Sequence, residues 1–439
     1  MLLQRTFSFL FLTLAFKQNS DKLSHLRHKF SSLDSTGGDD GVRRRKRKGN
    51  FESIAVTAVT VIYVKFRFRR KMTNKSPRHV ISSSTSSDAP DSPALNTSIA
   101  NENDTTLIAN KFSNITLAER EERQKALDRL EILKTVGTGS YGRVLVAQDR
   151  ESSVYYALKI FSITHVVQSR QVEHVKSEKE ILSGINHPFI ICLHWTHHSD
   201  QFLYMLLDYV PGGELFTYMR KRGTFDLKSS LFYISEITLA FEYLHSLQIV
   251  YRDLKPENIL LDAEGHVKLV DFGFAKKILN KTFTTCGTPD YLSPELFKGT
   301  GHHKSTDWWS LGILLFEMLT GYTPFNPNQN EIEIPSRVLA GRISWPRTID
   351  DVTKSFIKKL LIQNADKRLG AGKNGSREVK EQAIFSSIKW DDVYARKLKP
   401  PIVPPLEHPG DTSCFDEYKE DWRSVPFASD KDLDLFADF

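Results

Sequence analysis

Five short stretches between residues 130 and 207 alternate apolar and polar positions, which is the period of a half-buried β-strand. Residues 172–182 instead carry apolar side chains at helical spacing. The pattern predicts a small, mainly antiparallel sheet with a helix beside it. The predicted strands cover residues 130–136, 143–148, 155–160, 193–196 and 202–207.

The pattern changes to helices after residues 211–213, most clearly over residues 227–247 and 308–319, and becomes proline-rich from Lys399. Ahead of the strands, Thr116 precedes a charged stretch with few apolar anchors, for which we expect a surface helix. The resulting prediction is an α+β chain with two lobes joined at residues 208–213. Its parts are a surface helix at 113–129, a small lobe at 130–210, a large lobe at 211–385 and a tail at 386–439.

The first 112 residues predict a disordered basic leader, because their serine-rich and other polar stretches cannot form a core. The apolar run at residues 54–64 has about half of the roughly 20 residues that a membrane-spanning helix needs. A signal peptide at residues 7–16 and a membrane anchor are less favoured alternatives. The basic clusters at 43–48 and 65–71 leave nuclear targeting or contact with anionic lipid open.

Positive charge is concentrated in this leader. Residues 1–110 hold 18 of the 60 Lys and Arg but 9 of the 53 Asp and Glu. The remainder, 42 against 44, lacks the basic excess of nucleic-acid-binding domains, so we expect no nucleic-acid partner. Cys192, Cys286 and Cys414 are too few and too scattered for a disulfide framework or a zinc site, and they favour a reducing compartment.

A glycine-rich stretch at residues 137–142 reads Gly-Thr-Gly-Ser-Tyr-Gly. Similar spacing opens dinucleotide-binding folds, but here a strand follows, so we predict a hairpin lid over phosphates. Lys159 ends a later strand among apolar neighbours and needs an anion and a partner carboxylate. Glu178 is the candidate partner, with an ordinary surface salt bridge as the alternative.

The segment 251–273 places Asp253, Lys255, Asn258 and Asp271 between short apolar strands. Carboxylate and amide oxygens are the ligands that Mg²⁺ prefers, and a lysine beside them suits a multiply charged oxygen ligand. The segment therefore predicts a phosphoryl-transfer site.

From about Leu130 to the C-terminus, these motifs in this order resemble the eukaryotic protein kinases of the AGC group. The resemblance is strongest to the protein kinase A catalytic subunit and its X-type branch. It implies a bilobal kinase fold that transfers the γ-phosphate of ATP, with Mg²⁺, to serine or threonine hydroxyls. The implied nucleotide-binding residues are Gly137, Thr138, Gly139, Ser140, Tyr141, Gly142, Arg143, Val144, Leu145, Lys159, Glu178, Asp208, Val210 and Phe415.

The resemblance also assigns roles in the reaction. Lys159 would contact the α and β phosphates, and Asp253 would accept or position the substrate hydroxyl proton. Lys255 would steady the transferring phosphate, and Asn258 and Asp271 would hold the metal ions.

An activation segment, residues 271–295, is implied as well, with Thr284 phosphorylated by an upstream kinase. His174, Arg252 and Lys276 match the basic pocket that binds this phosphate in the family. A plain exposed hydroxyl is the alternative for Thr284. Two acids are expected to support the loops: Glu295 by pairing with Arg368, and Asp307 by bracing the catalytic loop.

Glu214, Glu257 and Glu317 match family acids that receive arginines before the target residue, which predicts protein substrates with basic motifs. Thr285 stands where the family has leucine, so the preference after the target stays open. Phe283 replaces a tryptophan that seats the regulatory subunit, which leaves control by a cAMP-binding regulatory subunit open.

In the tail, Phe415 and Tyr418 are expected beside the cleft. Phe436 and Phe439 are expected to dock on the small lobe beside the Glu178 helix, since an exposed aromatic pair is a liability. One alternative is a pseudokinase scaffold that binds partners without catalysis, and another is an active kinase that the leader anchors to a membrane. Because every phosphoryl-transfer residue is present, we expect an active enzyme. We expect it in the cytoplasm, the nucleus or both.

Overall fold

The sheet of the small lobe has five antiparallel strands in the order β1-β2-β3-β5-β4. The computed structural model describes residues 117–139, 142–278, 281–284, 286–419 and 425–439. The predicted leader lies outside these ranges, as do Ser140, Tyr141 and Thr285. The strands are β1 Leu130–Thr138, β2 Gly142–Asp149, β3 Tyr155–Ser162, β4 Leu193–His198 and β5 Phe202–Asp208.

The alternation along these strands divides the apolar side chains between the two faces of the sheet, as successive side chains must. Leu145, Leu158 and Leu206 are cross-strand neighbours that fill one face. Ala157 and Met205 belong to the main core on the other face. The predicted strands are confirmed, and each extends one or two residues beyond its predicted end.

Three helices accompany the sheet: α1 Leu117–Asp128, α2 Ile163–Gln168 and α3 Val172–Ser183. Helix α1 is the predicted charged helix, and its Arg123 donates a hydrogen bond of 2.8 Å to the carbonyl oxygen of Thr196 on β4. Helix α2, which the sequence pattern did not reveal, begins after Ser162, whose hydroxyl accepts a hydrogen bond from the backbone N–H of His165. Helix α3 carries Glu178.

The large lobe is built on two long buried helices, α5 Leu227–Ser246 and α7 Ser305–Thr320. The Asp226 side chain caps α5 by accepting from the Ser229 N–H at 2.7 Å. Helix α7 is apolar on nearly all sides, as expected for a helix enclosed by others. The other helices are α4 Leu215–Arg222, α6 Pro294–Lys298, α8 Ile334–Ala340, α9 Asp351–Leu360, α10 Ser376–Lys380, α11 Trp390–Tyr394 and α12 Asp430–Asp434.

Two short antiparallel ladders position the loops between the lobes. Strand β6 Ile249–Val250 pairs with β9 Lys276–Lys277, and β7 Ile259–Leu261 pairs with β8 Val267–Leu269. Residues 251–258 therefore form a loop fixed at both ends, and Asp271 follows β8 directly. Within the described ranges, no helix is both long enough and apolar enough to cross a bilayer.

Candidate active site

A cavity of about 550 Å³ lies between the sheet of the small lobe and the loops of the large lobe. Most of the predicted nucleotide-binding residues line it, including Lys159, Glu178 and Phe415. Its apolar walls include Val136, Ala157, Tyr209 and Leu260, which the sequence analysis did not single out. The remaining predicted residues that line it are Gly137, Thr138, Gly139, Gly142, Arg143, Val144, Asp208 and Val210.

The prediction for Leu145 was wrong. Its side chain is fully buried against Leu158 and Leu206 on the far face of the sheet. Neighbouring side chains of a strand point to opposite faces, so Val144 lines the cavity and Leu145 cannot.

The glycine-rich stretch forms the turn of the β1–β2 hairpin, as predicted. Thr138 pairs with Arg143, and the Gly139 N–H donates to the carbonyl oxygen of Gly142 at 2.9 Å. A Cβ atom on Gly142 would lie 1.9 Å from the carbonyl oxygen of Ile160, so only glycine fits this close approach.

Lys159 lies between two carboxylates at the back of the cavity. Its ammonium is 2.7 Å from Glu178 Oε1 and 3.8 Å from Asp271 Oδ1. The Glu178 side chain is 4% exposed, so this is not the surface salt bridge considered as the alternative. Burial alone would lower the pKa of Lys159, but attraction by Glu178 and Asp271 raises it above the usual value. Lys159 is therefore a fixed cation in this cavity.

The Asp253 carboxylate is oriented by its own loop. Its Oδ2 accepts hydrogen bonds from Lys255 Nζ at 3.0 Å and from Asn258 Nδ2 at 2.8 Å. Among the described residues, Oδ1 has no hydrogen-bond partner, which leaves it available to an incoming hydroxyl. Burial raises the pKa of Asp253 above its usual range, which strengthens it as a proton acceptor.

The loop carrying Asp253 is braced by Asp307 on α7. Asp307 accepts hydrogen bonds from the backbone N–H groups of Tyr251 at 3.0 Å and Arg252 at 2.8 Å, and it lies 2.8 Å from His245 Nε2. Arg252 has a φ of 71°, in the left-handed region that non-glycine residues rarely adopt. The brace predicted for Asp307 is confirmed.

The two predicted metal ligands are tied together through the backbone. The Val270 N–H, next to Asp271, donates to the carbonyl oxygen of Asn258 at 3.1 Å. The Asn258 side-chain nitrogen donates hydrogen bonds to Asp253, so the side-chain oxygen of Asn258 is the atom that can bind a metal ion. About half of the Asp271 side chain is exposed to solvent. One amide oxygen and one carboxylate are a donor set that suits Mg²⁺ together with phosphate oxygens.

One guanidinium nitrogen of Arg252 is buried and lacks a hydrogen-bond partner among the described residues. The residue is 7% exposed, its Nε donates to the carbonyl oxygen of Phe274 at 2.6 Å, and its buried Nη1 has no hydrogen bond to any residue that the structure describes. Burial lowers the pKa of the His174 imidazole, and the nearby Arg252 cation lowers it further. Thr284 is exposed on the same segment as Lys276, whose ammonium is 3.4 Å from the Thr282 hydroxyl. A buried, incompletely bonded cation is costly unless an anion reaches it.

The acids predicted to read the substrate form a negative cluster beside Asp253. Burial and repulsion from Glu257 raise the pKa of Glu214 to about 7. Burial also raises the pKa of Glu317 to about 7, although a hydrogen bond from the Tyr291 hydroxyl opposes this shift. Neither Glu214 nor Glu257 has an ion-pair partner among the residues that the structure describes. The Lys255 ammonium lowers the pKa of Glu214 and Glu257 but does not offset the effect of burial.

Glu295 and Arg368 form the predicted ion pair that ties the activation segment to the large lobe. Two parallel hydrogen bonds of 2.7 and 2.8 Å join them, and the Arg368 side chain is fully buried. Burial alone would raise the pKa of Glu295, but bonding to Arg368 lowers it below the usual value.

The tail reaches both lobes. The Phe415 ring lines the cavity and stacks on Tyr209 with the ring centres 6.2 Å apart. Burial raises the pKa of Tyr418, and repulsion from Asp416 and Glu214 adds to the shift. Tyr418 therefore lies near the acidic cluster, as predicted.

Phe436 and Phe439 are buried, and the prediction that they dock beside the Glu178 helix is confirmed. The ammonium groups of Lys176 and Lys179, both on α3, lie 5.9 and 5.4 Å from the centres of the Phe436 and Phe439 rings. Arg123 of α1 donates to the carbonyl oxygen of Phe439 at 3.3 Å. The C-terminus is therefore held between α1 and α3.

Comparison with known proteins agrees with this geometry. The protein kinase domain family matches residues 130–379. A cAMP-dependent protein kinase catalytic subunit 3 of Drosophila melanogaster is 51% identical over 318 residues, which cover 72% of this chain and 54% of that protein. The human cAMP-dependent protein kinase catalytic subunit PRKX is 51% identical over 315 residues, or 88% of its length.

A more distant relative, the cAMP-dependent protein kinase type 3 of Saccharomyces cerevisiae, is 42% identical over 316 residues, or 79% of its length. The family match over residues 130–379 thus includes the nucleotide cavity of the two lobes, the catalytic loop and the ion pair of Glu295 with Arg368. The chain therefore belongs to the protein kinase family, as an ATP-dependent protein serine/threonine kinase related to cAMP-dependent protein kinase catalytic subunits.

Proposed function

We propose that this kinase phosphorylates serine or threonine in protein segments that carry arginines shortly before the target. The observation that carries the proposal is the acidic cluster of Glu214, Glu257 and Glu317, whose pKa values are raised by burial and by repulsion from neighbouring acids. An arginine guanidinium supplies two parallel donors and relieves this repulsion, which a lysine ammonium does less well.

A peptide panel tests this preference. Peptides with Arg-Arg-x-Ser, Lys-Lys-x-Ser and Ala-Ala-x-Ser are compared by kcat/KM, with the parent enzyme and with Glu214→Gln and Glu317→Gln. We expect the order Arg, Lys, Ala for the parent and a smaller difference between Arg and Ala in both variants. The exposed Glu381→Gln serves as the control. Equal rates on the Arg and Ala peptides would refute the proposal without touching the kinase assignment.

In the reaction, the chain supplies position and charge. Bound Mg²⁺ would neutralise phosphate charge as the phosphoryl group moves, and Asn258 and Asp271 are the residues that would hold it. Lys159, fixed by Glu178, orients the other phosphates. Asp253 Oδ1 accepts the hydrogen bond of the substrate hydroxyl and then its proton, while Lys255 stays beside the same carboxylate.

We also propose that phosphorylation of Thr284 by an upstream kinase completes the active site. The support is the buried Nη1 of Arg252, which lacks a partner within the described part of the chain and lies next in sequence to Asp253, with His174 and Lys276 in the same region. A phosphate there would receive charge-assisted hydrogen bonds that contribute about 1.5–3 kcal/mol each. We expect phosphatase treatment to lower kcat/KM at least about tenfold in the parent. Thr284→Ala should start low and not respond, and an equal response in both would refute the switch.

Two wider features belong to the same proposal. The relatives are named for dependence on cAMP, and we propose that a cAMP-binding regulatory subunit inhibits this chain as well. Phe283, 62% exposed, stands where the family seats that subunit, so Phe283→Ala should weaken inhibition.

We further propose a cytoplasmic or nuclear location without a membrane anchor. Fractionation of the full chain and of a variant lacking residues 1–110 should then give the same partition.

A further inference from the structure

Three side chains of metal-binding type meet where β4 and β5 approach the linker between the lobes. The Cys192 sulfur, a ring nitrogen of His194 and a carboxylate oxygen of Asp208 all lie within 4.8 Å of one another. Cys192 and His194 do not line the nucleotide cavity. Asp208 does line it, so the cluster touches the cavity through this one residue, and the reaction described above uses neither Cys192 nor His194.

The sheet itself brings these side chains together. Strands β4 and β5 are antiparallel, and their pairing is irregular between Leu193 and Trp195, which places a bulge at His194. A bulge redirects a side chain relative to regular alternation. His194 Nε2 consequently lies 2.9 Å from Asp208 Oδ1, and the Asp208 N–H donates to the carbonyl oxygen of Cys192 at 3.1 Å.

The surroundings of Asp208 hold its carboxylate in place through Oδ2, while Oδ1 contacts His194 within the cluster. Asp208 Oδ2 accepts from the Cys192 N–H at 3.3 Å and lies 3.5 Å from the Lys268 ammonium. The Lys268 ammonium also donates to the carbonyl oxygen of Ile190 at 3.3 Å. It therefore contacts the Asp208 carboxylate through Oδ2 and not through Oδ1, the oxygen that faces His194. Carboxylates that bind metals are commonly held in this way through the oxygen that does not ligate.

The His194 ring is oriented as well. The Tyr156 ring packs edge-on against it, with the ring centres 5.1 Å apart. The His194 side chain is 36% exposed and that of Asp208 is 29% exposed, so a water molecule can reach the open side of the cluster.

We propose that Cys192, His194 and Asp208 bind one zinc ion, with water as the fourth ligand. Sulfur, imidazole nitrogen and carboxylate oxygen are zinc ligands, and around a tetrahedral ion they lie about 3.3–3.8 Å apart. The three ligand atoms already lie within 4.8 Å of one another, so forming the site requires shifts of at most about 1 Å, including a widening of the 2.9 Å contact between His194 Nε2 and Asp208 Oδ1. Binding releases the proton of the Cys192 thiol, moves the ring proton of His194 from Nε2 to Nδ1, and replaces the hydrogen bond between His194 and Asp208 by two bonds to the metal.

The ion would connect β4 to the start of the linker. Asp208 is followed by Tyr209 and Val210, which line the nucleotide cavity. A metal bridge across the bulge would thus stiffen the segment that joins the lobes, and zinc should raise the melting temperature of the protein.

Zinc and cobalt binding to the full chain test the proposal, in the absence of nucleotide because phosphates bind these metals. Zinc stoichiometry is measured by competition with a chromogenic chelator for the parent, Cys192→Ser, His194→Gln and the control Cys414→Ser. We expect Cys192→Ser and His194→Gln to bind one zinc ion fewer than the parent, and Cys414→Ser to match it. Cobalt should give a near-ultraviolet sulfur-to-metal absorption that Cys192→Ser and His194→Gln lose and that Cys414→Ser keeps.

The kinase activity of each metal-free variant, measured with Mg²⁺ and ATP, shows whether it has folded. An active Cys192→Ser protein that binds as many zinc ions as the parent, or that keeps the cobalt–sulfur absorption, would overturn the proposal. That outcome would leave the kinase assignment unaffected.

Discussion

Lys159 and Glu178 form a 2.7 Å ion pair that links β3 to α3, with the Glu178 carboxylate almost fully removed from solvent. The pair holds the lysine ammonium in the cavity and fixes the position of α3 relative to the sheet. Glu178→Gln keeps the size of the side chain but removes its charge. We expect kcat/KM to fall about 100-fold or more, the usual cost of losing one preorganised electrostatic contact.

Steady-state kinetics with a fixed peptide measure this loss. Glu180→Gln is the matched control, because Glu180 lies on the exposed side of the same helix. Equal losses in the two variants would show that the charge of the helix, rather than the pair with Lys159, matters.

The C-terminal phenylalanines should support the same helix from its other side. Phe436 is fully buried against α3, and removing a buried phenylalanine side chain costs about 3–5 kcal/mol. We expect Phe436→Ala to speed hydrogen exchange in residues 172–183 and to lower kcat. Phe427→Ala is the control, since Phe427 is 72% exposed. Unchanged exchange in α3 after Phe436→Ala would contradict the proposed support.

Substrate affinity should depend on pH through the acidic cluster. The pKa values of Glu214 and Glu317 are raised to about 7, so their charges appear as the pH rises through neutrality. At pH 6 such a group is about one-tenth ionised, and at pH 8 about nine-tenths. KM for an Arg-Arg-x-Ser peptide should therefore fall about tenfold from pH 6 to pH 8 at saturating ATP. A Glu214→Gln/Glu317→Gln double variant should show a high and flat KM, and a profile parallel to that of the parent would refute this origin.

The pair of Glu295 and Arg368 should matter for stability. Removing one partner of a buried ion pair leaves the other charge unpaired and costs about 3–5 kcal/mol. We therefore expect Arg368→Ala to lower the free energy of unfolding by that amount in urea denaturation. Arg377→Ala breaks an exposed pair with Glu381 and should leave stability nearly unchanged. Similar denaturation midpoints for the two variants would contradict the role given to burial.

Much of this site could be predicted from the sequence because its chemistry is concentrated in short segments. Asp253, Lys255 and Asn258 share one loop, and their hydrogen bonds are local. The strands were also predictable, since alternation reflects the two faces of a sheet directly.

Other contacts depend on pairing between distant strands and could not be read from spacing alone. The family resemblance implies Leu145 in the nucleotide site, but its position on β2, one residue after Val144, directs its side chain to the other face of the sheet. The number and spacing of the three cysteines argue against a zinc site, but His194 and Asp208 supply the other two side chains of the cluster. The Cys-x-His spacing of Cys192 and His194 was the available signal, but Asp208 joins them only through the β4–β5 bulge.

The central claim is that Asp271 and its neighbours transfer phosphate from ATP, and one assay tests it directly. Parent and Asp271→Ala are incubated with Mg²⁺, γ-labelled ATP and an Arg-Arg-x-Ser peptide, after circular dichroism has shown that both are folded. We predict labelled peptide with the parent and only background label with Asp271→Ala. Equal labelling by the two proteins, or none by the folded parent carrying phosphate on Thr284, would contradict the account.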